Sequence, residues 1–270
     1  GVQTCALPIL RWLGPWQAEL FVGLLDGDRI TRNTIYNGLR FSFNPLPGLE
    51  IGIARMDEVC GSGRPCSPLS EWFHFSNNSK QVNQTNDEGL IDIHYSGHIG
   101  HLPFSLYAQE MNEVQSNPLP QSVSHLYGAS AWSPVHGGIM RLTLEWASSI
   151  PTYQLFWGYS DHGFAYNNGQ YPDGMRYRGR SLGFSLDSDS QLLSLSGDWQ
   201  SPHGYEYRLT LNHADVSNPY IDVQQRGFYN IVTTAPVRIN MVEGKISLPV
   251  RNMMVDLAVR AQDDQPRPDR

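Results

Sequence analysis

A strict alternation of apolar and polar residues recurs along this sequence and restricts its fold more than any other feature. Leu39, Phe41 and Phe43, for example, are separated by single polar residues. The same pattern returns in residues 49–53, 91–95, 104–109, 140–146, 193–199, 205–212 and 255–259. Successive side chains of a β-strand point to opposite faces, so this period indicates strands with one apolar and one polar face. No segment has a convincing helical period. We therefore predict an all-β chain whose strands, roughly a dozen, form an antiparallel meander.

Two architectures fit such a meander, a soluble sandwich and a membrane β-barrel. The alternating segments are long, and charges such as Arg141 and Asp198 lie in the middle of their polar face. The tryptophans expected to bound the apolar face are Trp12, Trp16, Trp132, Trp146 and Trp199. Short turns are predicted at residues 133–138, 186–190 and 200–204, whereas residues 57–88, 149–176 and 216–230 form long connections. This combination favours part of a transmembrane outer-membrane barrel, although a solvent-facing sheet would also alternate.

The composition argues against several classes of function. The chain has a formal net charge of −7 and no basic run, so nucleic acid is not expected as a partner. Its nine histidines are scattered rather than spaced as metal ligands. No nucleophile elbow, phosphate loop or dinucleotide motif is present. We therefore expect no metal, no cofactor and no enzymatic activity.

The chain is divided into three parts. Residues 1–10 (GVQTCALPIL) fit no strand, cap or targeting pattern, and we expect a non-native or disordered leader. Residues 11–262 are predicted to form a single β-barrel domain that is truncated at its N-terminal side. Residues 263–270 form a polar tail.

Two cysteines enclose a short segment rich in glycine and proline. Cys60 and Cys66 lie in the sequence CGSGRPC, and no histidine or further cysteine sits nearby at metal-ligand spacing. A small disulfide loop in an oxidising compartment is the preferred interpretation, with a metal site as the alternative.

The segment 157–180 (WGYSDHGFAYNNGQYPDGMRYRGR) differs from the rest because it contains almost no aliphatic residues. Aromatic rings stack on sugar rings, amides bridge hydroxyl groups, and guanidinium groups pair with the carboxylates of an acidic polysaccharide. The candidate binding residues are Trp157, Tyr159, Tyr166, Asn167, Asn168, Tyr171, Asp173, Arg176, Arg178 and Arg180. The segment is followed by what looks like a further alternating strand.

Other interpretations of this segment remain open. The loop residues could form a packed, self-contained loop. The three arginines could lie on one face of a strand and pair with acids such as Asp198 or Glu206. Asp161 and Asp173 could act with Glu145 in glycoside hydrolysis, although loop aspartates are more often turn formers.

The segment Tyr171–Ser190 (YPDGMRYRGRSLGFSLDSDS) resembles a conserved stretch of the Wzi-type capsule-assembly outer-membrane proteins. That family has Tyr-x-Asp-Gly-Tyr-Arg-Tyr-Arg-Gly-Arg followed by a Gly-His-Ser-like strand. Here Met175 replaces an aromatic residue and Phe184 stands where histidine is expected. Supporting pieces occur in the family's order at residues 39–55, 63–67, 86–96 and 103–113.

The resemblance implies a monomeric barrel of roughly eighteen strands in the outer membrane of Gram-negative bacteria, with an N-terminal helical plug. Such proteins act as lectins at the cell surface and hold capsular or exopolysaccharide. The expected partners are therefore acidic polysaccharide and outer-membrane lipid. This chain has fewer strand patterns, no visible plug and no terminal aromatic residue, which predicts the C-terminal part of a longer barrel. A porin-like transport barrel is the first rival function, and a β-rich glycan hydrolase is the second.

Overall fold

The computed structural model of the chain describes residues 13–25, 27–66, 69, 85–116, 119–152, 162–217 and 229–266. The predicted leader, residues 1–10, lies outside these ranges, and so do Trp12, Trp157, Tyr159 and Asp161. The predicted tail is described only as far as residue 266.

Eleven long strands form one antiparallel sheet, and two short strands form a separate hairpin. The strands are β1 (Trp16–Leu24), β2 (Ile35–Leu46), β3 (Leu49–Val59), β4 (Asn86–Ile99), β5 (Leu102–Ser116), β6 (Leu119–Val135), β7 (Gly138–Thr152), β8 (Arg176–Tyr177), β9 (Arg180–Ser181), β10 (Gln191–Gln200), β11 (Glu206–Val216), β12 (Val237–Val250) and β13 (Met253–Gln262). Each strand of the large sheet pairs with its neighbour in sequence, apart from the insertion of β8 and β9 between β7 and β10. The predicted all-β antiparallel meander is confirmed.

Short and long connections both occur, as the sequence predicted, and the long ones lie at one edge of the sheet, where the β5–β6 connection of two residues is the exception. The turns after β2, β4, β6, β10 and β12 are short, whereas β3 ends at Val59 and β4 begins only at Asn86. One detail was wrong: residues 186–190 were predicted to form a short turn after a strand. They belong instead to the long connection between β7 and β10, whose described part, residues 162–190, contains the two-residue strands β8 and β9. Among the described residues, no helix has the length and apolar character needed to cross a bilayer.

One face of the sheet is apolar and exposed. Leu144, Leu195, Leu211 and Val242 stand side by side in register across β7, β10, β11 and β12. Each of them is between 42% and 50% exposed. A soluble sandwich would cover such a face with a second apolar layer. An exposed aliphatic face is instead what a lipid-facing barrel surface requires.

The opposite face is polar and carries paired charges. Arg40 donates to Asp92 at 2.8 Å, and Lys245 lies 3.1 Å from Asp256. Trp132 was expected to bound the apolar face, but it is paired in register with Arg141, one position out of phase with Ala131 and Leu142. Since adjacent residues point to opposite faces, Trp132 lies on the polar face and that expectation was wrong.

The short turns place glycines where other residues would be strained. Gly48, between β2 and β3, has φ = 79°, and a Cβ there would lie 2.2 Å from the backbone oxygen of Ser96. Gly100, between β4 and β5, also has a positive φ of 61°, but a Cβ there would meet nothing within 4 Å. A comparison of the two positions therefore distinguishes the free-energy cost of the left-handed backbone from the cost of a steric clash.

We expect Gly48→Ala to lower the free energy of unfolding by more than the ~1–2 kcal/mol that a left-handed backbone costs a residue with a Cβ, because the β2–β3 turn must also move away from β4. Gly100→Ala is the matched control and should cost only the conformational part. Thermal unfolding of the full-length protein in detergent micelles compares the two. Equal unfolding temperatures for the two variants would contradict this account of the turn.

Candidate functional site

The long connection between β7 and β10 folds into a compact unit, which we call the central loop (residues 162–190). It contains the β8–β9 hairpin, and its side chains reach several other connections. Asn168 donates to Asn86 at the start of β4, Arg64 donates to Gln170, and Tyr171 donates to the carbonyl oxygen of Cys60. The central loop is therefore packed, as one interpretation of the sequence suggested, but it packs against other connections and is not self-contained.

A buried arginine holds the central loop together. The Arg176 side chain is 3% exposed and donates through Nε and Nη2 to the two carboxylate oxygens of Asp187, at 3.0 and 2.9 Å. Nη2 also donates to Asn167 Oδ1 and to the carbonyl oxygen of Tyr229. The guanidinium carbon lies 4.6 Å from the centre of the Tyr229 ring. A buried charge is tolerated only when it is paired and hydrogen-bonded in this way.

Arg176 was predicted either to bind polysaccharide or to pair with Asp198 or Glu206. The second interpretation was wrong for Arg176, because its carboxylate partner is Asp187. Asp187 was the missed partner. Its carboxylate also accepts from the Ser181 hydroxyl and from the backbone NH of Ile231, so it organises both sides of the arginine.

A second buried arginine fixes the loop between β1 and β2 to the central loop. Arg29 pairs with Glu58 and donates to the carbonyl oxygens of Gly174 and Arg176. In the reverse direction, the Asp173 carboxylate accepts from the backbone NH groups of Ile30 and Thr31. Asp173 is therefore engaged in joining two loops, which is a structural use of that carboxylate.

The two candidate tyrosines of the central loop are buried. Tyr171 is 0% exposed and Tyr166 is 2% exposed. Burial, with the nearby Glu58 carboxylate, raises the pKa of Tyr171 to about 12, although Arg64 and Arg29 act in the opposite direction. Tyr166 accepts from the backbone NH of Phe184 at 2.7 Å. Their rings are packed within the protein, so they offer no free face to a sugar.

A short disulfide loop supports Tyr171. Cys60 and Cys66 are joined by a disulfide with a Cα–Cα distance of 4.1 Å. The carbonyl oxygen of Cys60 accepts the Tyr171 hydroxyl, and Arg64 within the loop lies 5.6 Å from the Tyr171 ring centre. No group of three or more candidate metal ligands occurs in the described part of the chain.

A second buried aspartate, Asp189, joins the two ends of the central loop. Asp189 accepts from the His162 ring at 2.7 Å and from the backbone NH of Gly163 at 2.7 Å. Burial nevertheless raises the pKa of the Asp189 carboxyl above its ordinary value. The aspartates of the DSDS sequence are thus both internal partners of the loop.

The longest exposed run of the central loop is residues 177–180, at the tip of the β8–β9 hairpin. Tyr177 is 38% exposed, and Arg178, Gly179 and Arg180 are also exposed. The Arg178 guanidinium lies 5.3 Å from the centre of the Tyr177 ring. Tyr177 was not among the predicted binding residues, although it belongs to the same aromatic and arginine-rich segment and could have been found there.

The hairpin turn explains why the three arginines separate. Arg178 and Gly179 both have positive φ angles, 49° and 68°, which is the conformation of a two-residue turn between antiparallel strands. The chain therefore reverses after Tyr177, and the three arginines do not share one strand face, which was the alternative to polysaccharide binding. Arg176 is buried, whereas Arg178 and Arg180 are exposed.

The remaining candidates take intermediate positions. Asn167 is buried and donates to the carbonyl oxygens of Gly163 and Tyr229. Asn168 is half-buried and its side-chain oxygen accepts from the backbone NH groups of Gln170 and Tyr171. Trp157 and Tyr159 lie outside the described residues. The central loop thus has a hydrogen-bonded interior and an exposed hairpin tip.

We expect Arg176→Ala to destabilise the protein by about 3–5 kcal/mol, because it leaves the buried Asp187 carboxylate without its cation. Arg180→Ala is the matched control, since it removes an exposed guanidinium from the same hairpin and should change stability by less than about 0.5 kcal/mol. Thermal unfolding in detergent measures both. Equal stability of the two variants would show that the buried pair does not hold the loop.

Comparison with known proteins gives three results. A family model described as capsule assembly protein Wzi matches residues 1–262. An uncharacterised 55.8 kDa protein encoded in the cps region of Klebsiella pneumoniae is 28% identical over 142 residues, which are 51% of this chain and 27% of that protein. A solved structure of Wzi from Escherichia coli, described as a carbohydrate-binding β-barrel of the outer membrane involved in group 1 capsule assembly, superposes with a TM-score of 0.77 at 20% identity.

The structural match covers 97% of this chain and 56% of the solved chain. The chain therefore spans about half the length of that barrel and less of the Klebsiella protein. The TM-score confirms the predicted fold, an antiparallel meander of the outer-membrane barrel type.

Proposed function

Because this chain belongs to the capsule assembly protein Wzi family, we propose that it is a non-enzymatic outer-membrane protein that binds and organises capsular or exopolysaccharide at the surface of Gram-negative bacteria. The observation that carries this proposal is the exposed aromatic and cationic tip of the β8–β9 hairpin, held by a rigid, buried network. We expect the working protein to be a monomer in outer-membrane lipid.

The membrane part of the proposal rests on the exposed aliphatic face. Leucine, isoleucine and valine side chains continue across neighbouring strands, for example Ile51 and Ile53 opposite Ile93 and Ile91. The face turned away from them carries many charges in pairs. The charges in phase with the aliphatic row, such as Arg55 and Glu110, lie towards the long connections. A bilayer favours this arrangement, because apolar side chains can face the lipid while charged side chains face the polar interior of the barrel.

The binding part of the proposal concerns the hairpin tip. Tyr177 can stack on a sugar ring, and Arg178 and Arg180 can pair with the carboxylates of an acidic polymer. Tyr166, Tyr171 and Arg176 would then act by positioning the hairpin rather than by touching the polymer. Such a division suits a binding site, because contact residues are held best on a rigid support.

A single hairpin with three contact residues would bind one sugar unit weakly. A capsular polymer repeats that unit many times, and many copies of the protein share one cell surface. Each further contact along the same polymer is then intramolecular, so the effective concentration is high. Weak individual sites are therefore sufficient to retain a long polysaccharide while allowing it to move.

Transport and hydrolysis have less support from the geometry. The central loop packs against Tyr36 and Met111 on the polar face, where a conducting pore would need open space. The two described carboxylates considered for hydrolysis have other partners: Asp173 accepts backbone NH groups and Glu145 accepts the Tyr107 hydroxyl. These contacts favour a binding protein over both rivals.

We expect the combined change Tyr177→Ala, Arg178→Ala and Arg180→Ala to weaken binding of a purified acidic capsular polysaccharide at least tenfold. Each lost stacking or charge-assisted contact should cost on the order of 1 kcal/mol. Binding is measured with the full-length protein in detergent. Liposome conductance and release of reducing ends, measured in parallel, test the two rival functions.

Arg251→Ala is the matched control for this experiment. Arg251 is exposed and has a positive φ of 55°, as Arg178 does, but it lies in the short turn between β12 and β13. We expect it to bind the polymer as the unchanged protein does. If the triple variant also binds normally, the hairpin tip is not the site.

A further inference from the structure

A pocket of about 230 Å³ opens on the polar face of the sheet, and none of its lining residues belongs to the central loop. Its side chains come from β2, β4, β5 and β6, with Arg40, Asp92, His94, Tyr107 and Gln109 providing the polar groups. Arg40 lies four residues along β2 from Tyr36, which packs against the central loop. At a rise of about 3.3 Å per residue, the pocket lies about 13 Å further towards the short turns.

An aromatic ring forms one wall of the pocket. A Cβ on Gly128, which is opposite Tyr107 in register, would lie 2.0 Å from Tyr107 Cζ. The Tyr107 ring therefore lies flat over the glycine of the next strand, with its other side towards the polar face. Its hydroxyl donates to Glu145 at 2.7 Å, which fixes the ring orientation. The His94 ring centre is 6.5 Å away, at an interplanar angle of 33°.

A charged group stands beside this ring. Arg40 donates to Asp92 Oδ1 at 2.8 Å and to Glu50 Oε1 at 3.2 Å. The second carboxylate oxygen of Asp92, Oδ2, is buried and has no hydrogen-bond partner within the described ranges. That oxygen lies against Gly52, where an added Cβ would collide with it at 2.2 Å. Oδ2 is therefore covered by the β3 backbone, and a ligand hydroxyl would meet the Asp92 carboxylate at Oδ1, which has lone pairs to share between that hydroxyl and Arg40.

We propose that this pocket is a second saccharide site, which binds one neutral pyranose unit. The ring stacks on Tyr107, its hydroxyl groups donate to Asp92, and Arg40 and Gln109 complete the polar contacts. One arginine against the two carboxylates Glu50 and Asp92 leaves this group with one net negative charge, which disfavours a uronic acid. The volume is below the ~300 Å³ at which sites for drug-sized ligands begin, so it suits a single ring.

This site goes beyond the hairpin tip in both position and specificity. The hairpin presents cations suited to acidic sugars, whereas the pocket presents a carboxylate acceptor beside an aromatic ring. The pocket can be tested without reference to the hairpin, so the failure of one proposal leaves the other standing.

The test is saturation-transfer NMR on the full-length protein in detergent, with methyl glucopyranoside as the neutral probe and methyl glucuronide as the acidic one. We expect binding of the neutral probe, and weaker or no binding of the acidic one. Tyr107→Ala and Asp92→Asn should each raise the Kd for the neutral probe at least tenfold. Asp92→Asn keeps the shape of the side chain and leaves Arg40 its partner Glu50, so it remains informative if Tyr107→Ala fails to fold.

Asp198→Asn is the matched control, because Asp198 also lies on the polar face and accepts from an arginine, Arg208, but is not part of the pocket. It should bind the neutral probe normally, as should the variant with three changes at the hairpin tip. The proposal is overturned if the unchanged protein gives no transfer to the neutral probe, or if Asp92→Asn binds it as well as Asp198→Asn does.

Discussion

The buried pair of Arg176 and Asp187 is the interaction on which the long connections of this protein depend. It ties the β8–β9 hairpin to the end of the central loop, and through Tyr229 and Ile231 to the connection before β12. Arg29 links the loop between β1 and β2 to the central loop, because it donates to the backbone carbonyl oxygens of Gly174 and Arg176. Neither ion could remain buried without the other, so these segments must fold together.

Much of the sheet was predictable, because a lipid-facing strand must alternate. Strands β4, β7 and β10 follow the rule closely, and most of their aliphatic residues are exposed. Strand β6 was harder to find, since small residues such as Ser130 and Ala131 occupy both faces. In β12 the apolar row is interrupted by Gly244, opposite Leu209. Alternation predicts strands only where side chains on the two faces differ in polarity.

The sequence distinguished the central loop from the strands, but it did not predict which of the loop's residues are buried and which are exposed. The composition of residues 157–180, rich in aromatic residues and arginine, differed from that of the strands. It could not show that Arg176 is buried whereas Arg178 is exposed. That distinction depends on Asp187, which lies eleven residues beyond Arg176 in a stretch that was expected to be a turn. It also depends on the left-handed turn at Arg178 and Gly179, which separates two arginines that are close in sequence. Partners supplied from elsewhere in the fold decide which charges are buried.

Glycines on the polar face allow side chains of neighbouring strands to lie flat on this single-layered sheet. Tyr107 lies over Gly128, Phe21 over Gly38 and the Asp92 carboxylate over Gly52. In each pair the missing Cβ lets a neighbouring side chain lie flat against the backbone, where it loses less conformational freedom on binding than a projecting side chain would. A flat, immobilised ring is a better platform for a sugar than a mobile one. Glycine weakens a strand locally because it has no side chain to pack. At these positions it also leaves room for a neighbouring side chain to lie flat on the sheet, where a ligand could contact it.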